Sequence, residues 1–409
     1  MPWEAPTVIE QRLAFIRDYL QRVLVDATTM SALCLEYGIS RKTGYKFVDQ
    51  YDEQGWHGLV DRSRAPRSGR HWTAISISEA IVAVRSAYSE WGARKIIDYL
   101  VDSEPDICWP AVSTAHQILR RAGLIHSRSP QRRCRPVRRP IPVPVMPNQL
   151  WTADYKGQFR TRDRRYCYPL TIADSYSRYL LGCQAFTRNS FEMTWPVFER
   201  LFREFGVPEA ILTDNGSPFA STTLGRLSKL SVRWIRLGIK PLLIDPGKPQ
   251  QNGRHERMHR TLKQRACARP ADNCHHQQKQ FDAFSDYYNR IRPHQSLHGV
   301  PPARLYTGSP KPYPDRLPEI EYPANFERRR VRSSGEIKWQ GQWLHLSDAL
   351  IGESVAFEPI ADGAWIVYFG PIDLGFYSER ERKLVLDRPR ADGKAENAPR
   401  FPLSHSSHD

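Results

Sequence analysis

Between residues 10 and 65, apolar and polar positions alternate with the spacing of a helix. Met30 to Tyr37 reads as a short helix, Gly38 as a turn, and Ser40 as the cap of a second helix from Arg41 to about Tyr51. That helix opens on Arg41, Lys42 and Thr43 and carries Lys46 between the apolar Tyr45 and Val48. Basic and short polar side chains at a helix start suit a major groove, so 1–65 is expected to be a helix-turn-helix DNA-binding domain. The plainer alternative is a helical hairpin with a solvated basic face. The helical period returns over 66–126, with Ile81, Val84 and Tyr88, then Ile96, Ile97 and Leu100. A last helix from about Pro110 to Ala122 stops at Gly123. Its Arg120 and Arg121 make 66–126 a candidate second DNA-binding domain, and a bundle that only spaces its neighbours fits equally well.

The pattern then breaks. Residues 127–148 are rich in proline and arginine, including Arg132 and Arg133. Such a segment cannot bury a core and is expected to be an extended linker whose cations lie along phosphates. From 149 to 308, strand-like and helix-like stretches alternate. Leu150 to Phe159, Tyr166 to Ala173, Tyr179 to Phe186, Ala210 to Thr213 and Arg233 to Leu237 read as strands. Phe191 to Phe205 and Gln251 to about Ala268 read as helices. Three consecutive strands, a helix and a short parallel-type strand predict an α/β domain with a mixed sheet. Residues 324–378 hold short strands punctuated by Gly335, Gly341, Gly352 and Gly363, which predicts a small SH3-like β-barrel. Residues 379–409 read as a disordered tail. The fold class expected is therefore multidomain: helical at the N-terminus, α/β in the centre and all-β at the C-terminus.

Charge narrows the partner. Sixty Lys and Arg against 44 Asp and Glu leave +16 at neutral pH, which predicts a polyanion. The seven cysteines are scattered, so no disulfide scaffold is expected and a reducing compartment fits. Cys274, His275 and His276, with Cys267 upstream, lack the two-pair spacing of a zinc site. No uninterrupted apolar stretch approaches the ~20 residues of a membrane helix. No signal-peptide pattern opens the chain. The expectation is a cytoplasmic, nucleoid-associated protein with no membrane partner.

Three acids stand out. Asp154 lies inside the first core strand, Asp214 ends the fourth, and Glu256 is early in the helix that follows. Two Mg²⁺ ions about 4 Å apart can clamp the attacking and leaving oxygens of a phosphodiester. Such ions take hard oxygen ligands, which carboxylates on two adjacent strands and a nearby helix supply. An Asp inside an apolar strand is costly unless paired or metal-bound. Each acid alone has an ordinary reading: a solvent-facing strand residue, a turn signal, a helix-start acid.

The surroundings of these acids carry a resemblance. Trp151-x-x-Asp154, Thr213-Asp-Asn-Gly-x-x-Phe219 and Pro249-x-x-Asn252-Gly-x-x-Glu256-Arg-x-His259 resemble the signature blocks of insertion-sequence DDE transposases. Their rve-type core is shared with retroviral integrases on a ribonuclease-H-like fold. Asp174-Ser-Tyr-Ser-Arg178 is similar to the turn after the second core strand, and Tyr288-Asn-Arg-Ile-Arg-Pro-His294 with Pro302-Ala303 to the closing block. The stretch from Asp214 to Glu256 is longer than is commonest in that superfamily. Asp245, the competing third acid, lacks the Asn-Gly start and the helical placement of Glu256.

The resemblance implies Asp154, Asp214 and Glu256 as catalytic ligands of two Mg²⁺ (or Mn²⁺) ions. Asn215, Gly216 and Asn252 would shape the backbone around them. Arg260 and Lys263 share the Glu256 face and are expected to contact DNA. It further implies cleavage at element ends, strand transfer by direct 3′-OH attack, and a dimer or tetramer on double-stranded DNA carrying terminal inverted repeats and target. The alternatives are a ribonuclease-H-like nuclease and a domesticated DNA-binding regulator.

Overall fold

The structure is a computed structural model that describes residues 7–26, 28–61, 73–125, 143–221, 224–245, 249–361 and 363–385. The chain divides into two compact units, 1–73 and 74–409.

The first unit is helical: α1 (Val8–Asp18), α2 (Met30–Glu36) and α3 (Arg41–Gln54). Each has a hydroxyl cap. Thr7 forms a capping box with Glu10, Thr29 accepts from the Ala32 N–H, and Ser40 accepts from the Thr43 N–H at 3.1 Å. Gly38 takes φ +64° between α2 and α3, a left-handed turn that glycine adopts without strain. Phe15, Ile16, Leu33, Cys34, Val48 and Leu59 close the core. Gly44 lets α3 approach α2, since a Cβ there would stand 2.5 Å from Cys34 Sγ.

The second unit opens with α4 (Ile75–Ala87), α5 (Ala93–Ser103) and α6 (Val112–Arg121). At the end of α6 the Leu124 N–H bonds the Leu119 carbonyl across Gly123. The proline- and arginine-rich stretch, with Arg132 and Arg133, lies outside the described residues.

The central sheet contains β1 (Leu150–Tyr155), β2 (Phe159–Arg160), β3 (Tyr166–Asp174), β4 (Leu180–Phe186), β5 (Ala210–Thr213) and β6 (Lys240–Leu243). β3 is antiparallel to β1, β2 and β4, while β1, β5 and β6 run parallel. This is the mixed sheet expected, in the order β2-β3-β1-β5-β6 with β4 also paired to β3. Strand alternation sorts the side chains. Trp151, Ala153, Leu170 and Ile172 face the layer of α7 (Phe191–Phe205) and α8 (Lys229–Arg236). Thr152, Asp154 and Thr171 face the opposite layer, with α9 (Gly253–Leu262) and α10 (Cys274–Asp286). The α4–α6 helices pack into that second layer, in one core with Met258, Leu262, Phe281 and Tyr287.

Two expectations are corrected. Arg233 to Leu237 is not strand: Arg233 to Arg236 is helix and Leu237 its C-cap. Ser228 caps α8 in a capping box, and Leu230, Trp234 and Ile235 fall on one buried helical face. The last parallel strand is instead β6, which carries Pro241 and pairs only with β5, an edge position that tolerates proline. The C-terminal strands β7 (Glu327–Arg330), β8 (Glu336–Trp339), β9 (Gln342–His345), β10 (Ser354–Ala361), β11 (Ala364–Phe369), β12 (Ile372–Ser378) and β13 (Lys383–Val385) do not close into a barrel. They form an open sheet in the order β13-β12-β11-β10-β7 and a separate β8–β9 hairpin. Side chains rather than a ladder join the two, with Trp339 stacked on Phe357 at 3.7 Å. This sheet shares its core with Val232 and Ile235 of α8.

Candidate active site

The register of two parallel strands sets the site. Ala153 of β1 pairs with Thr213 of β5, so the next residues, Asp154 and Asp214, stand side by side at the strand ends. Neighbouring strands are about 4.8 Å apart, which places two carboxylates within mutual repulsion. Asp214 is held locally, its Oδ1 accepting the Gly216 N–H at 3.2 Å. Asn215 fixes the loop: its Nδ2 donates to the Ile244 carbonyl at 2.9 Å, and its Oδ1 accepts from Arg226 at 2.8 Å.

Helix α9 covers this corner. Asn252, just before it, points Nδ2 at Asp154 Oδ2 at 3.4 Å. Glu256, in the first turn, is exposed, while His255 and His259 turn inward. His255 Nδ1 lies 2.9 Å from the Thr152 hydroxyl. His255 Nε2 and His259 Nε2 lie 2.6 and 2.7 Å from the Thr171 hydroxyl. Burial pushes the His255 pKa well below the ordinary value, and burial with the nearby Lys156 charge brings that of His259 down to about 3. Both rings are therefore neutral at pH 7, and the 3.8 Å approach of His259 Nδ1 to Asp154 Oδ2 is not an ion pair.

Asp154 bears the electrostatic consequence. Burial, then the charges of Asp214 and Glu256, push its carboxyl up to about 7, against a backbone hydrogen bond that lowers it. Asp214 is also raised by burial, opposed by the Gly216 N–H. A cluster of repelling acids on a half-buried ledge is a site for a hard dication. Asn252 Oδ1 adds a buried oxygen with no hydrogen-bond partner among the described residues. Among those residues no three His, Cys, Asp or Glu side chains stand close enough to hold one metal ion. Asp154 and Asp214 are neighbours by strand register, and Glu256 is exposed in the first turn of α9.

The other sequence candidates lie on several elements. Arg41, Lys42 and Lys46 are exposed on α3, and Arg120 and Arg121 on the last turn of α6. Arg260 and Lys263 are exposed and continue the Glu256 face. Asp245 Oδ2 accepts from Gln251 Nε2 at 2.8 Å. His275 and His276 point outward from α10, while Cys274 Sγ lies 3.9 Å from Cys167 Sγ. Thr152, Thr171 and His255 escaped sequence reasoning. Their only signal is that Thr152 and Asp154 alternate onto the same strand face.

Parts of the chain are similar to known protein families. Residues 144–249 and 237–302 match integrase core domain families, and residues 11–67 match a helix-turn-helix domain family. An uncharacterized 39.2 kDa protein of insertion element IS476 from Xanthomonas euvesicatoria is 25% identical over 243 residues, 56% of this chain and 64% of that protein. An uncharacterized 31.7 kDa protein of insertion element IS407 from Burkholderia multivorans is 25% identical over 198 residues, 46% of this chain and 67% of that protein. The Pol polyprotein of Radiation murine leukemia virus is 32% identical over 99 residues, 24% of this chain and 16% of that polyprotein. The chain thus spans less than two thirds of the Xanthomonas protein and a small part of the viral one. Among solved structures, a simian T-cell lymphotropic virus intasome chain aligns over 76% of this chain and all of that chain, at 16% identity and a TM-score of 0.36. The HTLV-2 integrase catalytic core in complex with magnesium aligns over 39% of this chain and 97% of that one, at 15% identity and a TM-score of 0.29. An integrase core behind a helix-turn-helix domain, with insertion-element proteins among the relatives, supports an insertion-sequence transposase with an integrase-like core.

Proposed function

We propose that this protein binds the ends of its element and catalyses divalent-metal-dependent DNA cleavage and strand transfer. The observation that carries the reading is the pair Asp154 and Asp214, in register at the ends of adjacent parallel strands, with Asp154 raised to about 7. Asp154, Asp214 and Glu256 would hold two Mg²⁺ or Mn²⁺ ions, which supply Lewis-acid activation and charge neutralisation at the scissile phosphate. Arg260 and Lys263 lie on the Glu256 face and bind the phosphates of the same strand. Asn215, Gly216 and Asn252 hold the two strand ends and the start of α9 in place. Arg41, Lys42 and Lys46 on α3 enter the major groove of the terminal repeats, with Arg120 and Arg121 as a second contact.

At the element end a water oxygen bonds to phosphorus and the bridging P–O bond breaks, freeing a 3′-OH. That hydroxyl then attacks a target phosphodiester, again one P–O bond formed and one broken, with no covalent enzyme intermediate. Two ends are processed together, so the working form is a dimer or tetramer on DNA.

The test uses precut element ends and a supercoiled target with Mg²⁺. Joined products are expected. Hydrolysis of the DNA without joining would make the protein a nuclease and overturn the strand-transfer reading.

A further inference from the structure

The Thr171 hydroxyl sits where β3 passes under α9. Its oxygen lies 3.0 Å from the Asp154 backbone carbonyl, 2.6 Å from His255 Nε2 and 2.7 Å from His259 Nε2. A hydroxyl has one hydrogen and two lone pairs. The carbonyl can only accept, so the Thr171 hydrogen goes there and both imidazoles donate Nε2–H to the oxygen. Every bonding position of this buried hydroxyl is then filled. His255 is left with a bare Nδ1 at 2.9 Å from the Thr152 hydroxyl on β1, whose single hydrogen is shared between that nitrogen and the Ala173 carbonyl at 3.2 Å. His259 is left with a bare Nδ1 facing Asp154 Oδ2 at 3.8 Å, lone pair toward lone pair. The histidine thus spends its hydrogen on Thr171 and leaves the carboxylate to other partners.

The two rings bracket Glu256 on α9, one residue before it and three after. Both are locked, at right angles to each other with centroids 4.7 Å apart, against β1, which carries Asp154, and its neighbour β3. A helix held at two such points cannot rotate about its axis. With a helix radius of about 5–6 Å including side chains, a rotation of about 10° would carry an outward side chain about 1 Å. Displacements of that size matter at a reacting centre.

We infer that Thr171 is a positioning residue: through His255 and His259 it sets the rotation of the Glu256 helix against the Asp154 strand, and so the spacing of the acids for metal. This rests on the carboxylate reading proposed above. The network is a shell behind the ligands, of the kind whose loss weakens metal binding without removing a ligand.

The experiment is a Mg²⁺ titration of the full-length protein, followed by tryptophan fluorescence and by melting temperature, with DNA cleavage as a separate readout. Four variants are compared with the wild type: Thr171→Val, Thr171→Ser, His259→Phe and Asp154→Asn. Thr171→Val keeps the shape and removes the hydroxyl, and should raise the Mg²⁺ midpoint roughly 10- to 100-fold. Thr171→Ser restores the hydroxyl and should return the wild-type midpoint, a rescue that lost core packing would not give. His259→Phe keeps the ring and removes the N–H, so it should match Thr171→Val and decides the matter if that variant does not fold. Asp154→Asn should abolish the Mg²⁺ response. A silent Asp154→Asn together with wild-type midpoints for Thr171→Val and His259→Phe overturns the inference and leaves the carboxylates standing. A wild-type response from Asp154→Asn overturns the carboxylate reading, and the inference with it.

Discussion

Trp91 donates its indole N–H to the Tyr287 hydroxyl at 2.7 Å, across 196 positions of sequence. Trp91 is fully buried, between the α4–α5 turn and the end of α10. The Tyr287 hydroxyl donates on to Glu90 Oε1 at 2.8 Å, and Arg265 reaches the same oxygen at 2.7 Å while lying 3.7 Å over the Tyr287 ring. The helices before the core are therefore clasped to its closing block by a hydrogen-bonded chain that starts at a buried indole.

This clasp predicts that residues 74–125 unfold together with the catalytic core. Trp91→Ala should cost about 3–5 kcal/mol, the range for emptying a large aromatic site. Trp91→Phe keeps most of the bulk and should cost about 1–2 kcal/mol for the lost donor. Urea unfolding of the two variants checks this, and an unchanged midpoint for Trp91→Phe would show that the bond holds nothing.

Gly44 predicts a defect in the first unit. The Cβ of Gly44→Ala would stand 2.5 Å from Cys34 Sγ and 3.1 Å from the Phe15 ring, so α3 must move off α2. Overpacking of this kind costs about 1–3 kcal/mol, more than alanine returns in helix propensity. Thermal unfolding of the variant should show it, with DNA binding by α3 weakened. An unchanged or raised melting temperature would mean that the two helices do not approach so closely.

The Asp154 carboxyl predicts a pH-dependent role for metal. Its pKa is raised by burial first, then by Asp214 and Glu256, to about 7. A raised acid contributes stability below its ordinary pKa and loses it as pH climbs through 7. Metal-free protein should therefore weaken between pH 5 and pH 8. Asp154→Asn should be the more stable form at pH 8, by at most about 4 kcal/mol, and lose that advantage toward pH 5. Added Mg²⁺ should raise the wild-type melting temperature more at pH 8 than at pH 5.5. Equal Mg²⁺ shifts at both values would contradict the clustering of charge.

How far the sequence discloses this protein depends on the range of each interaction. Local signals were legible: the Ser40 cap with Gly38 before it places α3, and the Ala210–Thr213 run ends on Asp214 as expected. Where a local signal competed with packing, packing won. Val232, Trp234 and Ile235 have strand-forming side chains, yet Ser228 and the buried spacing of Leu230 and Trp234 make them helix. Closure of a sheet is not local at all, which is why the C-terminal strands could be found while their open arrangement could not. The same holds at the site. The acids carry motif surroundings, but Thr171 and His255 meet across 84 positions and look ordinary in the chain.

The most direct test of the central claim is cleavage of element-end DNA with Mg²⁺ by Asp154→Asn, Asp214→Asn and Glu256→Gln, with binding to the same DNA measured in parallel. The account predicts that each substitution abolishes cleavage while end binding stays at the wild-type level. Cleavage that persists in any of the three would contradict the assignment of that carboxylate.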